Sequence, residues 1–204
     1  MIASFFCKNF RVTLVDFDGF GKSNMPSTPK TVADYSKDIA YLINEKGLKD
    51  VIIVGHSFGG RIALDLVYKY PKLCSKLVLV DSAGIKPRRK PSYYWNVFIY
   101  KIKKKLSLNT EKYGSTDYRQ LNTIMKQTFV NVVNYDQKYQ LFSIKIPTLI
   151  IFGKNDRETP IYMARYFNKK ITNSRLVLMD NVGHFPFLED SYNFINILNK
   201  FLYE

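Results

Sequence analysis

Three polar residues in this sequence have the types and the order along the chain that nucleophilic catalysis needs. Ser57 lies within residues 55–59, which read GHSFG and follow the pattern G-x-S-x-G. A serine hydroxyl becomes a strong nucleophile only beside a base, and that base needs a third group to orient it. His184 is the best candidate for the base, and Asp156 is the best candidate for the orienting carboxylate.

Each of these assignments has a competing interpretation. His56 is the only other histidine, but a side chain beside the serine in a tight turn leaves that turn in a different direction. Glu158 and Asp81 are alternative acids, because each lies close after a predicted strand. Ser57 can also be interpreted as a helix cap, and Asp156 as an N-cap or turn residue. The order serine, aspartate, histidine favours catalysis over these structural roles.

The residue after the serine is the candidate for stabilising the reacting oxygen. Phe58 begins a predicted helix, so its main-chain N–H would point toward a developing negative charge, helped by the helix N-terminus. A second N–H donor is usually needed. Phe17 and Gly19 are the candidates if a predicted strand at 11–16 shifts toward the serine.

Apolar runs alternate with amphipathic stretches along most of the chain. This alternation predicts an α/β fold, in which a mostly parallel sheet has helices on both faces. Strands are predicted at residues 11–16, 50–54, 76–80, 146–152 and 174–179. Helices are predicted at residues 31–46, 58–70, 160–170 and 189–202. Each candidate catalytic residue then follows the carboxyl end of a strand, where open α/β sheets bind ligands.

Residues 85–140 interrupt this alternation and are predicted to form a helical lid over a core of residues 1–84 and 141–204. Between residues 85 and 112 there are nine basic residues and a single acidic one. The aromatic residues among them would line an acyl pocket or dock on an anionic membrane. Single-stranded nucleic acid is a less favoured partner. The aromatic residues are Tyr93, Tyr94, Trp95, Phe98 and Tyr100.

The composition is that of a globular protein with an unusual charge. The chain has 204 residues, 46% of them hydrophobic, and a net charge of +14. Cys7 and Cys74 make neither a disulfide framework nor a set of metal ligands. With only two histidines in the chain, a zinc site of cysteines and histidines is not expected, and catalysis by a serine implies no metal and no organic cofactor. The first residues lack a basic leader, and a cytoplasmic location is expected.

The sequence resembles the α/β-hydrolase superfamily over nearly its whole length. The resemblance is carried by the loop after residues 10–16, by the GHSFG turn, by residues 146–156 and by residues 181–189. A serine in the turn places the resemblance in the branch of esterases, lipases, thioesterases and carbon–carbon bond hydrolases. It implies that Ser57 is the nucleophile, His184 the base and Asp156 the acid, and that residues 85–140 are the lid.

The resemblance also has a clear departure at the N-terminus. The family places three strands and a helix before the point that matches the start of this chain. Its third strand ends in the loop that supplies the second oxyanion donor, and no such loop is found here. We therefore expect an N-terminally truncated α/β-hydrolase fold, read from an internal methionine. Strand 11–16 is expected to move beside strand 50–54, because unpaired buried backbone groups are costly.

The predicted function is that of a serine hydrolase acting on a small acyl or ester substrate. Loss of one oxyanion donor costs about 10²–10³ in rate, so slow turnover is expected. The alternatives are a catalytically inert truncated hydrolase and a protein that binds through its basic lid. Substrate identity, the choice among ester, thioester and carbon–carbon bonds, and oligomeric state are left open.

Overall fold

The fold is described from a computed structural model, for residues 2–86, 118 and 120–204. Within these residues the chain forms one parallel sheet with the strand order β1-β2-β3-β4. Its strands are β1 (Val51–His56), β2 (Cys74–Val80), β3 (Thr148–Gly153) and β4 (Ser174–Met179). Four of the five predicted strands are therefore confirmed, with bounds that differ by a few residues.

The helices connect these strands and cover the sheet. They are α1 (Ile2–Phe6), α2 (Val32–Glu45), α3 (Phe58–Lys69), α4 (Thr123–Val133), α5 (Ile161–Lys170), α6 (Pro186–Glu189) and α7 (Ser191–Leu202). Short 3-10 turns lie at Pro71–Leu73 and Leu141–Ser143. Side chains fix several helix starts, since Thr31 and Asp34 form a capping box at α2, and Asp190 caps α7.

The core has two halves, one on each face of the sheet. Alternate residues of β2 point to opposite faces, as expected for a strand. On one face, Leu77 and Leu79 pack with Phe167 of α5 and with residues of α2 and α3. On the other face, Val78 and Val80 pack with Leu198 of α7. This arrangement confirms the predicted fold class, a parallel sheet with helices on both faces.

The prediction of a strand at residues 11–16 is wrong. Residues 11–17 adopt no regular structure and pair with no strand, so β1 is an edge of the sheet. The end of the segment is held elsewhere: the Asp16 carboxylate accepts a hydrogen bond from the Lys22 N–H, and the Phe17 ring packs against Tyr35. These contacts keep the segment away from β1, and a cavity separates the two.

The basic part of the predicted lid lies outside the described residues, which omit 87–117 and 119. Its boundaries and its proposed membrane contact stay predictions. The chain returns to the core at Gln137, whose N–H donates to the Gly84 carbonyl over 2.8 Å. The Gln140 side chain then donates to buried Asp65 of α3, also over 2.8 Å.

Neither cysteine forms a disulfide. Cys7 is exposed, and Cys74 is buried at the start of β2, where desolvation raises the pKa of its thiol to about 11.

Among the helices of the described residues, none has the length and apolarity that crossing a membrane would require.

Candidate active site

Ser57 occupies a sharp turn between β1 and α3. Its φ of 50° and ψ of −112° lie in a region that residues other than glycine rarely adopt. Two main-chain hydrogen bonds hold this conformation: the Ser57 N–H donates to the Val80 carbonyl, and the Ala83 N–H donates to the Ser57 carbonyl, each over 3.0 Å. The turn is thereby fixed to the carboxyl end of β2.

Two glycines allow strand and helix to approach so closely. A Cβ on Gly55 would lie 2.6 Å from the Gly59 carbonyl oxygen, and one on Gly60 would lie 2.1 Å from Ser82 Oγ. The G-x-S-x-G pattern predicts this steric role for its own two glycines, Gly55 and Gly59. It is confirmed for Gly55 and wrong for Gly59, because a Cβ on Gly59 would meet nothing within 4 Å.

The structure brings Ser57, His184 and Asp156 into one hydrogen-bonded row. Ser57 Oγ lies 3.1 Å from His184 Nε2, and His184 Nδ1 lies 2.8 Å from Asp156 Oδ2. The proton on Nδ1 is donated to the carboxylate, which leaves the Nε2 lone pair free to accept the serine proton. This is the geometry that a nucleophile, a base and an orienting acid require.

The Asp156 carboxylate is held in its ionised form by four hydrogen-bond donors. Besides His184, its Oδ2 has the Thr159 hydroxyl at 2.5 Å, while Oδ1 accepts from the main-chain N–H of Glu158 at 2.7 Å and of Thr159 at 3.1 Å. Burial alone would raise the pKa of Asp156, but these hydrogen bonds outweigh it and lower that pKa. Sequence reasoning missed Thr159; the spacing D-x-x-T after a strand was the available signal.

A glutamate fixes the loop that carries the base. The Glu189 carboxylate accepts hydrogen bonds from the main-chain N–H groups of Gly183, at 2.7 Å, and Phe185, at 3.0 Å. These residues flank His184 on either side. The Asn155 N–H also donates to the Val182 carbonyl over 2.8 Å, which ties the acid loop to the histidine loop. Glu189 was part of the recognised motif, but no role was assigned to it.

Glu158 faces the reacting nitrogen of the base and not the nitrogen that an orienting acid would contact. Its Oε2 lies 3.3 Å from His184 Nε2, and its side chain is 70% exposed. Burial lowers the pKa of His184, but the hydrogen bond and charge of Asp156, with the charges of Glu158 and Glu189, outweigh burial and raise that pKa. Glu158 therefore favours the protonated imidazole.

Replacing Glu158 by glutamine is expected to shift the pH profile of hydrolysis. The base acts in its neutral form, so kcat/KM falls as the pH drops through the pKa of His184. The negative charge of Glu158 raises the pKa of His184, so its removal is expected to lower that pKa. The acid limb of the pH profile then moves to lower pH. Stopped-flow ester hydrolysis between pH 5 and 9 measures the limb, with exposed Glu45→Gln of α2 as the control. An unchanged limb would show that Glu158 does not act on the imidazole.

Asp81 lies at the end of β2 and carries a proton. Its side chain is fully buried, Oδ1 accepts the Gly153 N–H over 3.0 Å, and Oδ2 has no hydrogen-bond partner within the described part of the chain. Burial and the neighbouring Asp156 carboxyl raise the pKa of Asp81 to about 9. Asp81 is thus a neutral acid beside the ionised Asp156, not the carboxylate that orients His184.

Asp81, together with Asp156 and His184, forms a candidate set of metal ligands. Single atoms of Asp81, Asp156 and His184 all lie within 4.8 Å of one another. A metal in this set would have to displace the proton that His184 Nδ1 donates to Asp156, and with it the contact that orients the base. The set fits proton transfer better than metal binding.

Replacing Asp81 by asparagine is expected to retain activity and to flatten the dependence of stability on pH. Between the pKa of an unfolded aspartate, 3.8, and the folded value of about 9, the folded protein holds the extra proton. The free energy of unfolding therefore falls as the pH rises through this interval. Asparagine has no such proton. The Tm of Asp81→Asn, measured by calorimetry relative to the Tm of the wild type, should therefore rise from pH 5 to pH 8. Parallel Tm curves would contradict a neutral Asp81.

His56 supports the base and does not replace it. Its Nε2–H donates to the main-chain oxygen of His184 over 2.7 Å, and the two rings lie 4.8 Å apart. Burial lowers the pKa of His56, which keeps the ring neutral. The structure thus agrees with the lower rank that the sequence gave this histidine.

Gly153 lets the histidine loop cross the end of β3. A Cβ at this position would lie 2.1 Å from the Gly183 carbonyl oxygen and 2.4 Å from that of Val182. Gly153→Ala is expected to displace the loop and lower kcat by about 10²-fold, because misplacement of a catalytic group by about 1 Å costs that much. Steady-state kinetics measure the loss, and a cooperative thermal unfolding curve checks that the variant still folds. Wild-type kcat in Gly153→Ala would contradict this role.

The role of the Phe58 N–H as an oxyanion donor stays a prediction, and the position of Phe58 in the chain is compatible with it. Phe58 is the first residue of α3, and the first N–H groups of a helix have no partner within it. Its ring packs against Phe17 and Tyr35. The proposal that Gly19 supplies a second donor is wrong, because the Gly19 N–H donates to the Asn24 carbonyl over 2.9 Å. Phe17 stays a candidate for that donor.

Parallel strands with a serine turn, an acid loop and a histidine loop at their carboxyl ends define the α/β-hydrolase arrangement. The sequence model of a family described as alpha/beta hydrolase fold matches residues 2–120 and 103–191. The chain belongs to this α/β-hydrolase fold family.

The chain is similar to several named proteins and solved structures. The AB hydrolase superfamily protein YisY of Bacillus subtilis is 26% identical over an alignment of 219 positions, which covers 95% of this chain and 82% of that protein. Lipase 1 of Psychrobacter immobilis is 25% identical, over 89% of this chain and 65% of the lipase. A thermophilic esterase from Thermogutta terrifontis has a TM-score of 0.76 and 20% identity, over 98% of this chain and 82% of the esterase.

Proposed function

We propose that this chain is a serine hydrolase that cleaves an ester or related acyl bond through a covalent acyl-enzyme. The observation that carries the proposal is the row from Ser57 Oγ through the His184 ring to the Asp156 carboxylate, with contacts of 3.1 Å and 2.8 Å. The match to a lipase supports an ester or acyl substrate. The weak identity leaves the particular substrate to experiment.

In the first half of the proposed reaction the serine is acylated. Ser57 Oγ bonds to the carbonyl carbon of the substrate while its proton passes to His184 Nε2. The carbonyl oxygen takes up the negative charge and accepts a hydrogen bond from the Phe58 N–H. The bond to the leaving group then breaks, and the leaving group takes the proton from His184. Asp156 stabilises the imidazolium that exists between these two steps.

In the second half water removes the acyl group. His184 Nε2 takes a proton from water, and the resulting hydroxide oxygen bonds to the acyl carbon. The bond to Ser57 Oγ breaks, the serine recovers its proton from His184, and the carboxylic acid leaves. With Phe58 as the sole identified oxyanion donor, we expect turnover slower by about 10²–10³ than with two donors.

Hydrolysis of p-nitrophenyl esters tests this function. We expect slow, saturable turnover of short-chain esters by the purified chain and none above background by Ser57→Ala. Ser174→Ala is the matched control, because this residue lies at the opposite end of the sheet, where β4 begins. Equal turnover by Ser57→Ala would contradict the proposal. Absence of turnover in a cooperatively unfolding wild type would favour the inert alternative.

A further inference from the structure

Aromatic rings and lysine side chains lie together on a surface formed by the ends of α3 and α5 and by the 3-10 turn before β3. The Tyr68 and Tyr139 rings lie 5.9 Å apart, edge to face. Lys170 Nζ lies 4.6 Å from the centre of the Phe142 ring and 5.7 Å from that of Tyr166. We call this surface the aromatic–lysine patch. Its members are Tyr68, Lys138, Tyr139, Phe142, Tyr166 and Lys170.

The patch exposes apolar surface that the core does not use. Phe142 is 53% exposed and Tyr139 is 57% exposed. Single exposed apolar residues are common, but these rings share neighbours: Lys170 lies over both Phe142 and Tyr166, and Lys138 lies over Tyr166. An apolar area of several joined residues with charges around it is typical of a binding surface.

The charge at the patch itself is positive. Three segments form it, residues 65–72, 135–145 and 165–170. They contain seven basic and two acidic residues, which gives a net charge of +5. Both acids are already bound to a lysine: Asp65 is buried and contacts Lys69, and Asp136 lies 3.5 Å from Lys138. The patch therefore attracts an anionic partner.

The positions of the lysines distinguish between two kinds of anionic partner. Single-stranded nucleic acid stacks its bases on the faces of aromatic rings. Here the ammonium group of Lys170 lies over the Phe142 ring, so that face is not open to a base. At a membrane surface, aromatic rings lie at the depth of the headgroups and lysines contact the phosphates. The patch thus fits an anionic lipid surface better than nucleic acid.

The patch lies away from the candidate active site. Ser57 directly precedes α3, and Lys69 ends this helix of 12 residues, which puts the two about 18 Å apart along its axis. The other helix of the patch, α5, ends at Lys170, shortly before β4 begins. A membrane bound there would lie at the amino end of the strands, at the opposite end of the sheet from Ser57.

We propose that the aromatic–lysine patch docks on a membrane surface that is rich in anionic phospholipid. Phe142 and Tyr139 enter the headgroup region, while Lys138 and Lys170 contact lipid phosphates. The inference does not depend on the proposed hydrolase activity.

Co-sedimentation of the full chain with vesicles tests the proposal. The probe vesicles contain equal parts of phosphatidylcholine and phosphatidylglycerol, and vesicles of phosphatidylcholine alone are the control. We expect binding to the anionic vesicles that weakens between about 0.1 M and about 0.5 M salt, because salt screens the charges. Hydrogen exchange of residues 138–142 should slow on these vesicles. Equal binding to both vesicles, or none to the anionic ones, would overturn the proposal.

Two variants identify the patch as the docking site. Lys170→Gln is expected to weaken vesicle binding about fivefold through the loss of one charge near the lipid. Phe142→Ser is expected to weaken it about tenfold through the loss of apolar area. The matched controls lie in α7, on the opposite face of the sheet. Lys200→Gln also removes a lysine from the last turn of a helix, and Tyr192→Ser removes an exposed ring, yet both should bind as the wild type.

The variants also separate the proposal from its competitors. Cooperative thermal unfolding of all four variants shows that each one folds. Unchanged vesicle binding by Lys170→Gln and Phe142→Ser, or equal losses in the α7 controls, would overturn the proposal and assign the contact to another surface. Oligothymidylate that binds the wild type but not Phe142→Ser, without vesicle binding by either, would overturn it in favour of nucleic acid.

Discussion

Replacing His184 by glutamine is expected to lower kcat for ester hydrolysis by about 10⁴-fold or more. The imidazole is the sole base within reach of Ser57 Oγ in the described part of the chain, with a distance of 3.1 Å. Glutamine keeps a side chain of comparable length and its polar character but accepts no proton at neutral pH. Steady-state kinetics with a p-nitrophenyl ester, after removal of any contaminating esterase, measure the loss.

The other histidine provides the matched control for this variant. The His56 ring packs against the His184 ring and donates a hydrogen bond to the main-chain oxygen of His184. His56 is not a member of the hydrogen-bonded row of Ser57, His184 and Asp156. His56→Gln is therefore expected to cost far less, about tenfold at most, through a small shift of the histidine loop. Comparable losses in both variants would contradict the assignment of His184 as the base.

Replacing Asp156 by asparagine is expected to lower kcat by about 10³–10⁴-fold with little change in KM. The carboxylate accepts donors on both oxygens, from His184 and Thr159 on one and from main-chain N–H groups on the other. An amide can accept on one side only. If its NH₂ faces His184, the ring carries its proton on Nε2 and cannot take the serine proton.

The control for Asp156→Asn is Asp190→Asn. Asp190 accepts the Asn193 N–H at the start of α7, and asparagine is an equally good N-cap. Cooperative thermal unfolding of both variants would separate a catalytic loss from a failure to fold. Wild-type kcat in Asp156→Asn would show that another carboxyl orients the base, and a loss of kcat in Asp81→Asn would then identify Asp81.

Much of the fold could be predicted from the sequence because its central strands, β2 and β3, are largely buried on both faces. Continuous apolar runs such as residues 77–80 are typical of a parallel sheet covered by helices, and the structure confirms a strand there. Residues 11–16 have a similar pattern but form no strand. A strand requires a neighbour to pair with, and local sequence does not report whether that neighbour is present.

The candidate site was predictable where residue type carries the chemistry. A serine, an aspartate and a histidine in this order along the chain, each after a predicted strand, indicate a catalytic triad without any coordinates. Thr159 and Glu189 were missed because they act by holding backbone and side-chain positions in loops, and many polar residues can do so. The exclusion of Glu158 and Asp81 also required geometry, since it depends on which nitrogen or oxygen each side chain faces.

Labelling with a fluorophosphonate probe, mapped by mass spectrometry, is the most direct test of an activated serine in this chain. The account predicts a single modified residue, Ser57, in the wild type, no labelling of Ser57→Ala, and strongly reduced labelling of His184→Gln. An ester substrate should compete with the probe. Absence of labelling in a chain that unfolds cooperatively, or labelling that persists in Ser57→Ala, would contradict it.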